Sequence, residues 1–473
     1  MSILRLSEDE IASRLRSGNV RIGVIGLGRI GVPTAVLFAE AGAKVVGGDI
    51  NPAVVKGMNQ GFCHFIDEPG LAEAVAKVVL RGRLSATIDN REAAIGADVV
   101  IMCLPTPVDE SKTPNYSFIV SASKDVSKSL GNGCIVAVES TVGPGIIENL
   151  IIPMLEEGSG LKAGEDFGVV ACPDRSDPGR VLRDMKKVPR IVGGTDSRST
   201  SAFAALYGAA SGVRVIQVSD PKTANAAKLM ENLFRDVNIA LANEFAIIYE
   251  QFGIDTIEVI NACSTKYNFM PHYPSRGVGG PCLPSNPYYL IVEGAKVGNI
   301  PYLVRMAREI NDRMPDHVVE LVIEALNDIA RTVKGTRIAI LGISYKPDVK
   351  DIQNTPVEKI FRKLQKMGAE LTIYDPYFKG EKVFDVVAST SLQDAIDGAS
   401  CFVIGTGHRE FQNLDLKMLS RHGYGRVALV DSVHLVPPEI ACREGLVYRG
   451  VGRKATGMSS AVVMPTRWAG APA

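Results

Sequence analysis

The segment RIGVIGLGRIGVPTAVLFAEAGAKVVGGDINP, Arg21 to Pro52, decides the fold. A short apolar strand, Arg21 to Ile25, runs into the glycine turn GLGRIG. A helix-patterned stretch follows, then a second strand from Lys44 to Asp49. A G-x-G-x-x-G turn that leaves a strand and opens a helix suits the diphosphate of a dinucleotide. Gly26 permits the tight turn, Gly28 lets the backbone approach a pyrophosphate, and Gly31 lets helix and strand pack closely. The helix N-terminus then presents free N–H groups to the phosphate. Arg29 and Ile30 lie inside the turn and belong to the same expected cofactor-binding set. Asp49, ending the second strand, suits the hydrogen bonds of a ribose diol and repels a 2′-phosphate, so NAD is expected rather than NADP.

Outward from this segment the pattern repeats. ADVVIMCLPTP (97–107), CIVAVESTVGPG (134–145) and GVVACPDRSDPG (168–179) each join a β-rich apolar run to a polar, glycine- or proline-bearing loop. Strands alternating with helices predict a parallel sheet covered on both faces, with these loops gathered at its carboxyl edge, where ligands bind. From about Pro221 to Ala330 the texture is helical. ANAAKLMENLFRDVNIALANEFAIIYEQFG reads as one long amphipathic helix and PYLVRMAREINDRMPDHVVELVIEALNDIA as a second, with Pro315 expected to kink or break it. A long apolar-faced helix of this kind often pairs with its twin in a dimer. After Gly335 the opening pattern returns: RIAILGISYKPD, AELTIYDPYF and ASCFVIGTGH echo the first strands without the full glycine fingerprint. The expected architecture is α/β: two Rossmann-like doubly wound domains joined by a central helical region. Its segments are 1–215, 216–330 and 331–473. The tail after Thr456, rich in Ser, Ala, Pro and Gly, is expected to be loose.

The chain has 473 residues, 46% of them hydrophobic, enough for more than one core. Its 52 basic and 52 acidic residues leave no net charge, which argues against a nucleic-acid or polybasic membrane binder. Eight cysteines are scattered without a CxxC or a zinc spacing, so no metal site is expected and reduced thiols in a cytoplasm are the natural reading. No run approaches the roughly 18 apolar residues of a membrane span.

One cysteine stands apart. In RGVGGPCLPSNPYYL (276–290), Cys282 sits on a backbone of glycine and proline, too broken for a helix. A thiolate near backbone N–H groups and a lysine is activated as a nucleophile. Lys228 and Asn232, four apart on the long helix, share a face.

GLGRIGVPTA, KLMENLFRDVNIALANE and GVGGPCLPSNPYYL, in this order, together with LGISYKPDVKDIQNTP, resemble the UDP-sugar 6-dehydrogenases over roughly Arg21 to Arg453. Within that family CPDRSDPG and the cysteine loop are more similar to the enzymes of UDP-N-acetylhexosamines than to those of UDP-glucose. The resemblance implies oxidation of C6 of UDP-GlcNAc or UDP-ManNAc to the uronate with two NAD, through a thioester on Cys282, the product feeding surface polysaccharides or glycans. It implies oxyanion stabilisation by Lys228 with Asn232, cofactor contacts at Thr106 and Thr141, a catalytic water at Thr141, and UDP-sugar contacts at Lys346. Tyr273, Arg276 and Gly279 are substrate contacts by position. A homodimer and a cytoplasmic location are expected. Three residues depart from the family: Asp174 and Asn286 replace a glutamate and an aspartate linked to thioester hydrolysis, and Gln353 replaces an arginine. The alternatives are a UDP-glucose 6-dehydrogenase and a catalytically impaired nucleotide-sugar-binding homologue.

Overall fold

The computed structural model describes residues 2–454; the tail after Thr456 lies outside them. The described chain forms two compact units: residues up to 237 with 281–306, and residues 238–280 with 307 onward. The long helix Pro221–Gln251 therefore gives its first half to one unit and its second half to the other.

The first unit is built on eight strands: β1 (Arg21–Ile25), β2 (Lys44–Gly48), β3 (Leu84–Thr87), β4 (Val99–Met102), β5 (Ile135–Val138), β6 (Gly168–Ala171), β7 (Arg190–Gly194) and β8 (Val215–Val218). They lie in the order β3-β2-β1-β4-β5-β6-β7-β8. Strands β4, β5 and β6 are buried along their whole length, as a sheet covered by helices on both faces requires. The order reverses between β1 and β4, which opens a crevice at the carboxyl ends of those strands. The loops after β1, β4, β5 and β6 all leave from that edge. One feature departs from the expected parallel sheet: β7 pairs antiparallel with β6. That reversal starts β7 at the carboxyl edge and runs it away from there, so Arg190, its first residue, lies beside the loop after β6.

The second unit holds five parallel strands, β9 (Arg337–Leu341), β10 (Glu370–Tyr374), β13 (Cys401–Ile404), β14 (Ala428–Asp431) and β15 (Val447–Gly450), ordered β10-β9-β13-β14-β15. A small hairpin, β11 (Lys382–Val383) and β12 (Val386–Val387), lies between β10 and β13 in the chain. Of the kink or break expected at Pro315, the break does not occur: the helix Tyr302–Asp328 runs through it. An interior proline costs about 3 kcal/mol. Beyond it Val318, Leu321, Val322, Ala325 and Leu326 are buried in the core, and each large apolar side chain so buried contributes about 1.5–3 kcal/mol. Burial therefore wins. The proline has no N–H to offer the Asn311 carbonyl four residues before it, and Gly277 packs against that oxygen. At Gly277, with φ +110°, a Cβ would come within 2.7 Å of that oxygen.

Candidate active site

The cofactor turn has the shape its glycines demand. Gly26 has φ +91°, and a Cβ there would strike the Cys103 carbonyl oxygen. Gly31 packs so closely that a Cβ would run into the carbonyl oxygen of Gly26, whereas Gly28 faces open space. The helix Gly31–Glu40 starts with no side-chain cap; Val32 and Thr34 N–H already donate to the Gly28 and Ile30 carbonyls and Pro33 has no N–H, so what faces an anion is the glycine turn and the positive end of the helix. Asp49 is held in place: Leu27 N–H donates to its Oδ2 and Asn51 N–H to its Oδ1, each at 2.9 Å. An uncapped helix, an open glycine and an oriented carboxylate together fit NAD. The Arg29 side chain reaches Asp67 at 2.8 Å and Glu68 at 3.3 Å, and its guanidinium lies 5.2 Å from the Phe65 ring centre.

In the same unit Cys282 is exposed, whereas Cys63, Cys134 and Cys172 are buried. Its carbonyl accepts from the Ser285 and Asn286 N–H groups at 3.1 and 2.9 Å, so the thiol stands one turn ahead of the helix Asn286–Lys296. The positive end of that helix favours a thiolate. Asn232 donates through Nδ2 to Asn286 Oδ1 at 2.5 Å, which joins the long helix to the cysteine loop. With its oxygen engaged as acceptor, Asn286 presents only its own amide N–H to the site, and an amide cannot act as a base.

Tyr289, on the same helix, is a residue that the sequence reading missed. Its hydroxyl donates to the Thr106 carbonyl, and Thr106 Oγ1 in turn donates to the Thr141 carbonyl at 2.8 Å. The loops after β4 and β5 are thus tied to the helix that follows the thiol. Burial pushes the Tyr289 phenol up, and the nearby Cys282 and Tyr116 add to the rise. Its place in NPYYL, three residues past Asn286, was the available clue.

Asp174 is paired with one cation and lies in the field of a second, Lys228. Arg190 Nη1 lies 2.7 Å from its Oδ1. Burial pushes the Asp174 carboxyl up, but Arg190, then Lys228, then hydrogen bonds from Ser176 outweigh it and hold it below the ordinary carboxylate range. Arg190 and its second partner Glu139, 2.9 Å away, were also missed. An arginine inside the apolar run RIVGG was the sign.

The second unit carries the other predicted contacts. Arg276 is buried, and its Nη2 donates to the Ser344 and Tyr345 carbonyls and to Thr406 Oγ1 at 3.2–3.3 Å. Burial lowers its pKa to about 10. No carboxylate pairs with it among the described residues. Gly279 packs where a Cβ would meet Pro356, Asn354 and Tyr345 within 2.9 Å, and Gly280 N–H donates to the Gln353 carbonyl at 2.9 Å. The loop 342–356, with half-buried Lys346, therefore lies against the glycines. Tyr273 is exposed. Buried Asn243 donates to Asn311 at 2.8 Å and accepts the Ser275 N–H at 2.7 Å, which fixes the loop holding Tyr273 and Arg276.

Comparison with known proteins bears on this arrangement. Profiles of the UDP-glucose/GDP-mannose dehydrogenase family match residues 20–211 (NAD binding domain), 222–313 (central domain) and 339–437 (UDP binding domain). The chain belongs to this family. The dehydrogenase is 36% identical over 436 residues to UDP-N-acetyl-D-mannosamine dehydrogenase of Pyrococcus horikoshii, covering 92% of this chain and 99% of that one. It is 33% identical over 419 residues to UDP-N-acetyl-D-glucosamine 6-dehydrogenase of Pseudomonas aeruginosa, covering 88% and 97%. A solved structure of the UDP-D-ManNAc dehydrogenase from Pyrococcus horikoshii superposes with a TM-score of 0.84 at 35% identity, over 92% of this chain and all of that one, 100%. The dehydrogenase is thus an NAD-dependent oxidoreductase of α/β fold with a UDP-binding domain. Among the described residues no helix is long and apolar enough to cross a membrane.

Proposed function

We propose that the chain oxidises C6 of a UDP-N-acetylhexosamine, UDP-GlcNAc or UDP-ManNAc, to the carboxylate. One alcohol, two NAD+ and one water give one carboxylate, two NADH and three protons. The observation that carries this reading is the exposed Cys282 thiol ahead of a helix, tied through Asn286 and Asn232 to the helix of Lys228. The printed substrates of the similar dehydrogenases support the choice of sugar.

Gly26, Gly28, Gly31 and Asp49 would hold NAD, which would supply the hydride acceptor for each oxidation at C6. Arg29, Ile30, Thr106 and Thr141 complete its surroundings. The Cys282 thiolate adds to the C6 aldehyde and forms a C–S bond, while Lys228 and Asn232 stabilise the oxygen that gains the electron pair. Loss of the second hydride leaves a thioester. Water adds to its carbonyl, the C–S bond breaks, and the thiolate is restored. Asn286 holds the cysteine loop and is not the base. Arg276, a buried cation without a carboxylate, and Lys346 supply charge for the diphosphate, beside Gly279 and Tyr273.

The test is NADH yield with excess NAD and limiting UDP-GlcNAc, UDP-ManNAc or UDP-glucose in separate reactions. Two NADH per sugar from an N-acetylhexosamine is the expected result. Two from UDP-glucose alone would overturn the substrate, and none, with UDP-sugar still bound in calorimetry, would favour a binding protein.

The three functional segments are 1–215, 216–330 and 331–473. The second forms a homodimer through the long helix. On it Leu241, Phe245 and Ile248, with Phe252 one residue past its end, are 42–73% exposed and spaced four, three and four apart, the rhythm of a helix-pairing seam. Sedimentation should give twice the chain mass, and a monomer at micromolar concentration would refute the seam. Eight unbridged thiols agree with a cytoplasmic setting.

A further inference from the structure

Asp174 Oδ1 gathers three donors: Arg190 Nη1 at 2.7 Å, the Ser176 hydroxyl at 2.6 Å and the Ser176 N–H at 3.3 Å. Oδ2 accepts the same N–H at 3.2 Å. Arg190 is fully enclosed, 4.9 Å over the Tyr207 ring, and reaches Glu139 with its other amino group. Glu139 also accepts from the Thr34 hydroxyl at 2.8 Å and the Cys103 thiol at 3.2 Å. Thr34 rides on the helix that opens the cofactor turn, and Glu139 stands two residues before Thr141. A continuous buried chain thus links the cofactor helix to Asp174.

The groups facing Asp174 come from every element around it: Cys103 after β4, Glu139 after β5, Cys172 after β6, Arg190 on β7, Tyr207 on the helix Ser197–Ser211, and Lys228 on the long helix. Burial pushes Cys103, Cys172 and Tyr207 up, so they stay neutral. Two carboxylates and two cations remain, and they are not equivalent. Glu139 is pushed up by burial in spite of Arg190, whereas Asp174, with Lys228 as a second cation, is held down.

We propose that Arg190 is a positioning residue for the oxidation, clamping Asp174 as a fixed anion whose field acts on the Lys228 ammonium, rather than leaving it as a base that takes a proton from water. This rests on the reading of Cys282 and Lys228 given above. A carboxylate with one oxygen saturated by a guanidinium and a hydroxyl is a poor proton acceptor, and a good electrostatic partner for a lysine.

The test is the pH dependence of kcat and KM for Arg190→Met and Arg190→Lys, alone and combined with Asp174→Asn. With Arg190→Met, Asp174 gains its proton at higher pH. The acid limb of kcat should therefore move up by about one pH unit or more, with little change in KM for the UDP-sugar. Arg190→Lys should restore most of the original limb. In the Asp174→Asn background Arg190→Met should shift nothing further. An unmoved limb in folded Arg190→Met overturns the proposal, as does an equal shift without Asp174. A raised plateau above the limb also overturns it, because a base made more basic would speed the reaction. If Arg190→Met fails to fold, Ser176→Ala removes another donor from the same oxygen without opening the core. The limb must then rise by a smaller amount, and an unmoved limb is again fatal. Continued uronate formation by Cys282→Ser would remove the parent reading instead, whatever the Arg190 variants do.

Discussion

Replacing Cys282 by serine should cut uronate formation by at least about a thousandfold while leaving UDP-sugar affinity within a few-fold of the parent. The hydroxyl is nearly isosteric, and the thiol is exposed, so the substitution opens no cavity. Its turn is held by backbone bonds from Ser285 and Asn286 to the Cys282 carbonyl, which serine retains. What is lost is the nucleophile: a serine hydroxyl at neutral pH is not ionised. Calorimetry for binding and chromatography of the sugar product separate the two properties. Uronate at an undiminished rate would mean that water attacks the aldehyde directly and that the thiol is incidental.

Lys228→Met should lower kcat on the order of 10²–10³-fold, the usual effect of removing one fixed charge aimed at a developing oxyanion. Methionine keeps most of the length of the stem. Asp174 retains its Arg190 and Ser176 partners, so the variant should fold. The loss belongs in kcat, because the charge that Lys228 meets arises after C6 has begun to react. A variant with normal kcat and a raised KM would instead make Lys228 a ground-state contact of the phosphates.

The parts of this molecule that were legible in its sequence are those decided within a few residues of chain. Strand β1 runs from Arg21 to Ile25 and the turn closes at Gly31 because glycine spacing and apolar runs are local rules. Cys282 stood out because glycines and prolines surround it. Lys228 and Asn232 were paired by helical spacing alone. Arg190, Glu139 and Thr34 belong to three separate elements, and only the topology of the sheet brings them together. For a related reason Pro315 does not end its helix. The local penalty is real, but distant side chains pack the helix on its far side and decide the outcome. The antiparallel β7 is likewise fixed by which edge its neighbours leave open, and not by its own five residues.

The uneven accessibility of the thiols has a consequence for chemical injury. Burial drives Cys134, Cys172 and Cys401 up to about 12, and Cys63 and Cys103 also rise, so these sulfurs are shielded from electrophiles and peroxides twice over, by access and by ionisation. Cys282 and Cys263 are the exposed ones. A mild alkylating agent or oxidant would therefore silence turnover at Cys282 while the cores stay intact. Bound nucleotide sugar would act as a shield, and the damaged protein would remain folded and able to compete for substrate.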